Sequence, residues 1–242
     1  MRCIAMIPAR YASTRFPGKL MQLLGNKTVI RHTYENTLKT GLFDQVVVVT
    51  DSPIIYDEIK LHGGEVMMSV QSHESGSDRI AEAVANMEVD IVVNVQGDEP
   101  FVQTAPLEKL LAVFKEEQGA KVQVASLMQI IKNKNNIPDP NYVKVVVDLE
   151  MNSLLFSRSV IPYLREPSDS MPYYEHIGVY AFRKQALMNF TQWPVSPMES
   201  AERIECLRYL EHGIPLKMVL TEYMGIEIDT PEDLLLAKQK LA

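Results

Sequence analysis

Short β-rich apolar runs alternate with helix-patterned stretches along most of the chain. The runs Cys3–Ile7, Gln45–Thr50, Glu65–Val70, Asp90–Val95 and Val122–Met128 predict strands, and the segments between them predict crossover helices, the pattern of a parallel sheet. Helix punctuation supports this reading. Ser52-Pro53 opens one helix that stops at Gly63-Gly64, Ser77 precedes another over Asp78–Met87, and Thr104 precedes a third over Ala105–Lys115. The continuous apolar runs VVVV at 46–49 and IVVNV at 91–95 have no polar face, so they read as strands covered on both sides by helices. The expected fold is α/β, a three-layer αβα sandwich with a mostly parallel sheet.

The texture changes after Asn141. YVKVVVDLE and MNSLLFSRSVIP, with a turn at Glu150–Ser153, predict a hairpin that breaks the parallel order. The stretch Pro162–Tyr174 is rich in Pro, Ser and Asp and reads as a long loop before HIGVYAF returns to strand pattern; residues 150–195 together read as an insertion or arm. Beyond it, Glu199–Glu211 is expected to be helical, Leu216–Leu220 and Ile226–Ile228 extended, and Thr230-Pro231-Glu232-Asp233 opens a closing helix.

The 242 residues suit one α/β domain, and 46% hydrophobic with 23% charged residues is the composition of a globular chain. Lys and Arg total 24 against 31 Asp and Glu, a net charge of −7, so a duplex-binding role lacks its electrostatic footprint and no nucleic-acid partner is expected. Cys3 and Cys206 form no CxxC pair, which excludes a disulfide scaffold and a cysteine-rich zinc site. The apolar run in MRCIAMIPAR is too short for a signal segment, and nothing reaches the roughly twenty residues that span a bilayer. A cytoplasmic protein without membrane insertion is expected.

Ligands of an open parallel sheet bind beyond the carboxyl ends of its strands, and those positions are polar here. The first strand delivers Arg10, Ser13, Thr14, Arg15, Gly18 and Lys19 within ten residues. Guanidinium forks, a lysine charge and small residues that let backbone N–H groups approach an anion make a polyphosphate clamp. An ordinary solvated basic loop is the alternative. Walker A and GxGxxG patterns are absent. After the strand at 90–95 comes NVQGDEP, and after Ile226–Ile228 comes Asp229. If both strands are parallel, Asp98 and Asp229 meet at one edge, a pair suited to Mg²⁺ with substrate phosphates; turn closure and helix capping are the alternatives. Asp51 reads as a turn and capping residue. In SHESGSDR, Ser75 and Arg79 fit a nucleoside, but on chemistry alone a helix cap and a solvated face come first. No GxSxG elbow accompanies His73, so serine-hydrolase chemistry has no support.

IPARYASTRFPGK, HESGSDR, VNVQGDEP and IDTPEDL, in this order, resemble the CMP-Kdo synthetases, the 3-deoxy-manno-octulosonate cytidylyltransferases; YVKVVVD, LLFSRSVIP, HIGVYAF and SPMESAERIECLRYL extend the likeness nearly end to end. The resemblance implies a Rossmann-like nucleotidyltransferase fold over 1–242 with 150–195 as a sugar-binding and dimerisation arm, a homodimer, and a reaction of CTP with Kdo that gives CMP-Kdo and pyrophosphate with Mg²⁺. It places Arg10, Ser13, Arg15 and Lys19 on the triphosphate, and Pro8, Ala9, Ser75, Gly76 and Arg79 around the cytidine. Asp98 and Asp229 become metal ligands, so that Arg10, Lys19, Asp98 and Asp229 form the catalytic set. Gln96, Arg158, His176, Tyr180 and Glu205 line the sugar-acid pocket, Arg158 facing the carboxylate. Read without the resemblance, Tyr180 is a core residue and Glu205 a solvated one. Leu20, Ser77, Cys206 and Glu227 depart from the family pattern, where proline, threonine, glutamine and glycine are usual. Cys206 and Glu227 leave the exact ulosonic acid open, an 8-amino analogue or a sialic acid being the alternatives. A nucleotide-binding regulator without catalysis is a further alternative, against which both aspartates argue.

Overall fold

The structure, a computed structural model, describes residues 1–13, 16–71, 73, 75–116, 119–166, 171–222 and 225–241. Its elements run β1 (Cys3–Ala9), β2 (Leu23–Leu24), β3 (Lys27–Thr28), α1 (Val29–Lys39), β4 (Gln45–Thr50), α2 (Pro53–Leu61), β5 (Val66–Met68), α3 (Gly76–Val84), β6 (Ile91–Asn94) and α4 (Thr104–Ala112). There follow β7 (Val124–Ile130), β8 (Lys144–Val147), β9 (Ser153–Ser157), β10 (Tyr174–Arg183), α5 (Lys184–Gln192), α6 (Pro197–Glu202), α7 (Leu207–Glu211), β11 (Leu216–Leu220) and α8 (Pro231–Leu241). Internal contacts divide the chain into two compact units, Met1–Glu108 with Met224–Ala242, and Lys109–Tyr223.

In the first unit β6, β1, β4 and β5 lie side by side and parallel, Ile4 facing Gln45 on one flank and Val92 on the other. Burial explains the unbroken apolar runs: Ile4, Ala5, Met6, Ile7, Val48, Val92 and Val93 are all solvent-free, as strands covered on both faces must be. Ser52 and Pro53 open α2 as expected, and a helix over Val29–Lys39 joins them, capped by Thr28 Oγ1 accepting the Arg31 N–H. The start of α3 differs from expectation. Ser75, not Ser77, is its N-cap, its hydroxyl accepting the Asp78 N–H at 3.0 Å.

In the second unit β7 pairs parallel with β11 and antiparallel with β10, β10 pairs with β8, and β8 and β9 form the expected hairpin. Its turn is held by Asp148, whose carboxylate accepts the N–H groups of Glu150 and Asn152, with Met151 at φ 63°. Segment 150–195 thus contributes β9, β10 and α5.

Two expectations need correction. Ile226–Ile228 is not a strand; its one ladder-like bond is the Ile228 N–H to the Asp98 carbonyl at 3.0 Å, so the chain is pinned to a turn rather than to a strand. The helix expected over Glu199–Glu211 splits into α6 and α7, because Arg203 adopts a left-handed φ of 55° and breaks the ladder between them. No helix among the described residues is long and apolar enough to cross a membrane.

Candidate functional site

The loop after β1 turns back on itself through Gly18, whose φ of 66° is a conformation that favours glycine and whose N–H donates to the Tyr11 carbonyl. This turn aims Lys19 inward while Arg10 stays exposed. After β6 the chain makes a tight turn closed by the Glu99 N–H on the Gln96 carbonyl. Gly97 lets that turn lie against the end of β1, since a Cβ there would stand 3.0 Å from the Pro8 carbonyl oxygen. From α1, Thr33 Oγ1 donates to the Gly97 carbonyl at 2.8 Å and Asn36 donates to the Pro100 carbonyl at 2.7 Å, so the turn is held on both sides of Asp98.

These three segments converge. Lys19 Nζ hydrogen-bonds Asp98 and, at 2.7 Å, Asp229, and all three side chains are largely shielded from water. Asp229 is held by the start of α8. Thr230 Oγ1 accepts the Asp233 N–H, while the Asp233 carboxylate accepts the N–H groups of Asp229 and Thr230, so the cap is served by Asp233 and the Asp229 carboxylate is left for the site. The sequence therefore singled out both acids, but Lys19 and the Ile228 N–H on the Asp98 carbonyl connect their segments rather than a pair of strands.

Glu227 joins this pair. One carboxylate oxygen each from Asp98, Glu227 and Asp229 lie within 4.8 Å of one another, although Glu227 as a residue remains exposed. Burial works to lower the pKa of Lys19, but the charges and hydrogen bonds of Asp98 and Asp229 prevail and hold it above its ordinary value. Two acids also move up: desolvation of the carboxyl group and the charges of Asp98, Glu99 and Asp229 push Glu227 up to about 8. Burial beside Asp98 pushes Glu99 up to about 7. Asp98 Oδ1 is buried without a hydrogen-bond partner. Hard carboxylate oxygens, closely grouped and one of them unpaired, are the donor set magnesium takes, so these residues fit that ion.

On the adjoining strand ends, Ser75 Oγ also donates to Asp78, and Gly76 packs so closely on Pro8 that a Cβ would meet its Cγ at 3.2 Å, which brings Pro8 and Gly76 together as a platform. Ala9 is buried in β1. Arg79 is placed differently from expectation: it is solvent-free, one terminal nitrogen donating to Ser69 Oγ at 2.5 Å and the other to Asp51 at 2.6 Å. Asp51, read from the sequence as a capping residue, is in fact the counter-ion of Arg79, and the guanidinium ties the ends of β4 and β5 to α3. Ser13 Oγ accepts the Phe16 N–H, Gln96 donates to Asn94 at 3.3 Å, and Arg15 lies outside the described residues.

In the second unit His176 and Tyr180 share a face of β10. Their rings stand 5.4 Å apart, with Phe156 against His176 at 4.9 Å and Phe182 against Tyr180 at 5.6 Å. Tyr180 is buried and hydrogen-bonded to the Cys206 thiol, and burial holds both groups protonated, as the core reading of Tyr180 expects. Glu205 is half-buried beside them. Arg158 directs its guanidinium to the backbone carbonyls of Glu202 at 2.7 Å and Pro140 at 2.9 Å, while the Glu202 carboxylate accepts the Arg158 N–H.

Burial pushes the His176 imidazole down to about 3, and Ser126 Oγ stands 3.0 Å from its Nε2. A histidine kept neutral in the native state but ionising near 6.5 when unfolded supports stability above that pH and loses it as the pH falls toward 3. Urea unfolding of wild type and H176N should therefore converge in relative stability as the solution is acidified from pH 7 to pH 4. A gap that stays constant over that window would contradict a neutral buried ring.

Residues 4–221 match the model of the cytidylyltransferase family. The 3-deoxy-manno-octulosonate cytidylyltransferase of Flavobacterium johnsoniae is 59% identical over 241 residues, which cover 100% of this chain and 99% of that one. The enzyme of the same name from Christiangramia forsetii is 54% identical over 100% and 97%. Among solved structures, a CMP:2-keto-3-deoxy-manno-octonic acid synthetase complexed with CTP is 36% identical with a TM-score of 0.94, covering 100% of this chain and 98% of that one. With its strand-end loops, its lysine-bridged aspartates and this end-to-end likeness, the chain belongs to the cytidylyltransferase family.

Proposed function

We propose that this protein is a CTP-dependent nucleotidyltransferase that activates Kdo, giving CMP-Kdo and pyrophosphate for lipopolysaccharide biosynthesis. The observation that carries the chemistry is Lys19 bridging Asp98, in the turn beyond β6, and Asp229, just before α8. The sugar rests on the 59% identity to an enzyme named for it. In this reading Arg10, Ser13, Arg15 and Lys19 hold the triphosphate, and the Pro8–Gly76 platform with Ala9 and Ser75 receives the cytidine, with Arg79 acting from behind as a brace. Gln96, Arg158, His176, Tyr180 and Glu205 orient the sugar acid.

The anomeric hydroxyl attacks the α-phosphorus in line, a new P–O bond forms, the bond to the β-phosphate oxygen breaks, and the hydroxyl proton passes to a base. Asp98 and Asp229 would hold magnesium, which when bound supplies Lewis-acid polarisation of the phosphate oxygens. Lys19 and Arg10 neutralise charge on the departing pyrophosphate. Holding both substrates in attack geometry can supply about 7–11 kcal/mol of the barrier reduction. Buried Cys3 and Cys206 suit a reducing, cytoplasmic setting. The exposed apolar side chains Leu154, Tyr163 and Met171 suit an arm that packs on a second copy in a homodimer.

Pyrophosphate release tests the proposal. It should require CTP, Kdo and Mg²⁺ together and stop on chelation. Release with an 8-amino analogue or a sialic acid in place of Kdo would keep the chemistry and change the sugar, whereas CTP binding without release from any sugar acid would favour the non-catalytic reading.

A further inference from the structure

The carboxylate cluster holds more acid than a two-aspartate site needs. Asp98 and Asp229 share Lys19, which neutralises one of their two charges. Glu227 brings a third carboxylate oxygen within 4.8 Å of theirs, yet no hydrogen bond or ion pair to its side chain is present among the described residues. Its placement is built by the chain on either side. Gly225 lets the backbone lie against Phe101, since a Cβ there would come within 2.7 Å of the Phe101 Cβ. Ile228 is solvent-free and bonded through its N–H to the Asp98 carbonyl. With Ile228 fixed in the core, the residues on either side of it, Glu227 and Asp229, both turn their carboxylates toward Asp98. The buried Asp98 Oδ1, which has no hydrogen-bond partner, is a second observation that suits a cation ligand.

We propose that Glu227 is a third protein ligand of the divalent cation, so that this protein holds the ion before any nucleotide arrives. The inference rests on the metal reading of Asp98 and Asp229. Magnesium held by one or two carboxylates depends on substrate phosphates to complete its shell, and a third carboxylate relaxes that dependence.

Mn²⁺ alone is the probe, its free fraction read by electron paramagnetic resonance on folded protein without nucleotide, and again with CTP. E227G removes the group, and E227Q keeps its shape and loses its charge. Circular dichroism checks that both variants fold. Expected is measurable Mn²⁺ binding by the wild type without nucleotide, weakened about tenfold or more in both variants, in the range that loss of a group supporting a metal site produces. The deficit should shrink when CTP supplies its phosphates. Variants that bind Mn²⁺ as tightly as the wild type without CTP would overturn the role of Glu227 and leave the two aspartates as the site. Wild-type protein that binds no Mn²⁺ even with CTP would overturn the metal reading as well.

Discussion

Asp98→Asn should lower kcat/KM for CMP-Kdo formation about a thousandfold, the equivalent of roughly 4 kcal/mol of transition-state stabilisation. Asparagine is nearly the same shape and still offers Lys19 an acceptor oxygen, so the turn held by Thr33 and Asn36 keeps its position. What changes is charge. Asp98 is the centre of the acid group, bonded to Lys19, tied through its carbonyl to Ile228 and within reach of Glu227 and Asp229. Neutralising it removes a hard anionic ligand where a divalent cation would sit and frees Lys19 to pair with Asp229 alone. Stability should move the other way. Asp98 is one of the charges that hold the Glu99 and Glu227 carboxyls up, so D98N relieves repulsion and its thermal midpoint should equal or exceed that of the wild type. Steady-state pyrophosphate release and a melting curve on the same preparation check both halves. A variant that keeps kcat/KM within about tenfold of wild type would remove Asp98 from the catalytic set.

The contrast between Asp98 and Arg79 shows what could be read from the chain. Asp98 was legible because it follows a buried apolar strand, and a parallel sheet presents its strand ends on one edge. β4 and β11 have the bounds their patterns predict, β4 because a strand buried on both faces writes itself as a continuous run, β11 because Leu216 and Met218 alternate with the more exposed Lys217 and Val219. Arg79 was not legible in the same way. Its neighbours in SHESGSDR look like a nucleotide turn, while its partners Asp51 and Ser69 come from two other strand ends, and such long-range pairing leaves no local pattern. Glu227 was visible only as a departure from a family motif, and its meeting with Asp98 depends on the Ile228 hydrogen bond. The break at Arg203 was hidden for a similar reason. Glu199–Glu211 has helical composition throughout, and what stops the helix is a left-handed backbone that lets the second half fold back on the first.

That fold-back is secured by a buried ion pair, and Arg208→Met should expose its worth. The Arg208 guanidinium meets the Glu199 carboxylate in a fork, Nε to Oε2 and Nη2 to Oε1 both at 2.6 Å, and its remaining nitrogen donates to the carbonyls of Phe190 and Trp193 at 3.2 Å. The plane stacks on Phe190 with Cζ 3.9 Å from the ring centre. Both residues are buried, and Glu199 also accepts the Ser196 N–H as part of the capping box of α6. Methionine fills much of the volume but leaves a buried carboxylate without its cation and takes the guanidinium donor from the Trp193 carbonyl, while the Phe190 carbonyl keeps the Trp193 N–H. Breaking a buried pair from one side costs about 3–5 kcal/mol, which for a chain of this length lowers the melting point by roughly 10–15 °C. Lysine in place of Arg208 should recover only part of this, because an ammonium cannot make the fork. The double variant E199M/R208M separates the two components of the loss. If the stranded charge dominates, removing Glu199 as well should restore stability relative to R208M alone. If α6 and α7 instead need the fork to hold their fold-back, the double variant should remain as unstable as the single one, and Arg158, anchored on Glu202 at the end of α6, should lose its fixed position with them. An R208M midpoint within about 1 kcal/mol of wild type by urea unfolding would show that the pair adds nothing beyond what a packed apolar side chain supplies.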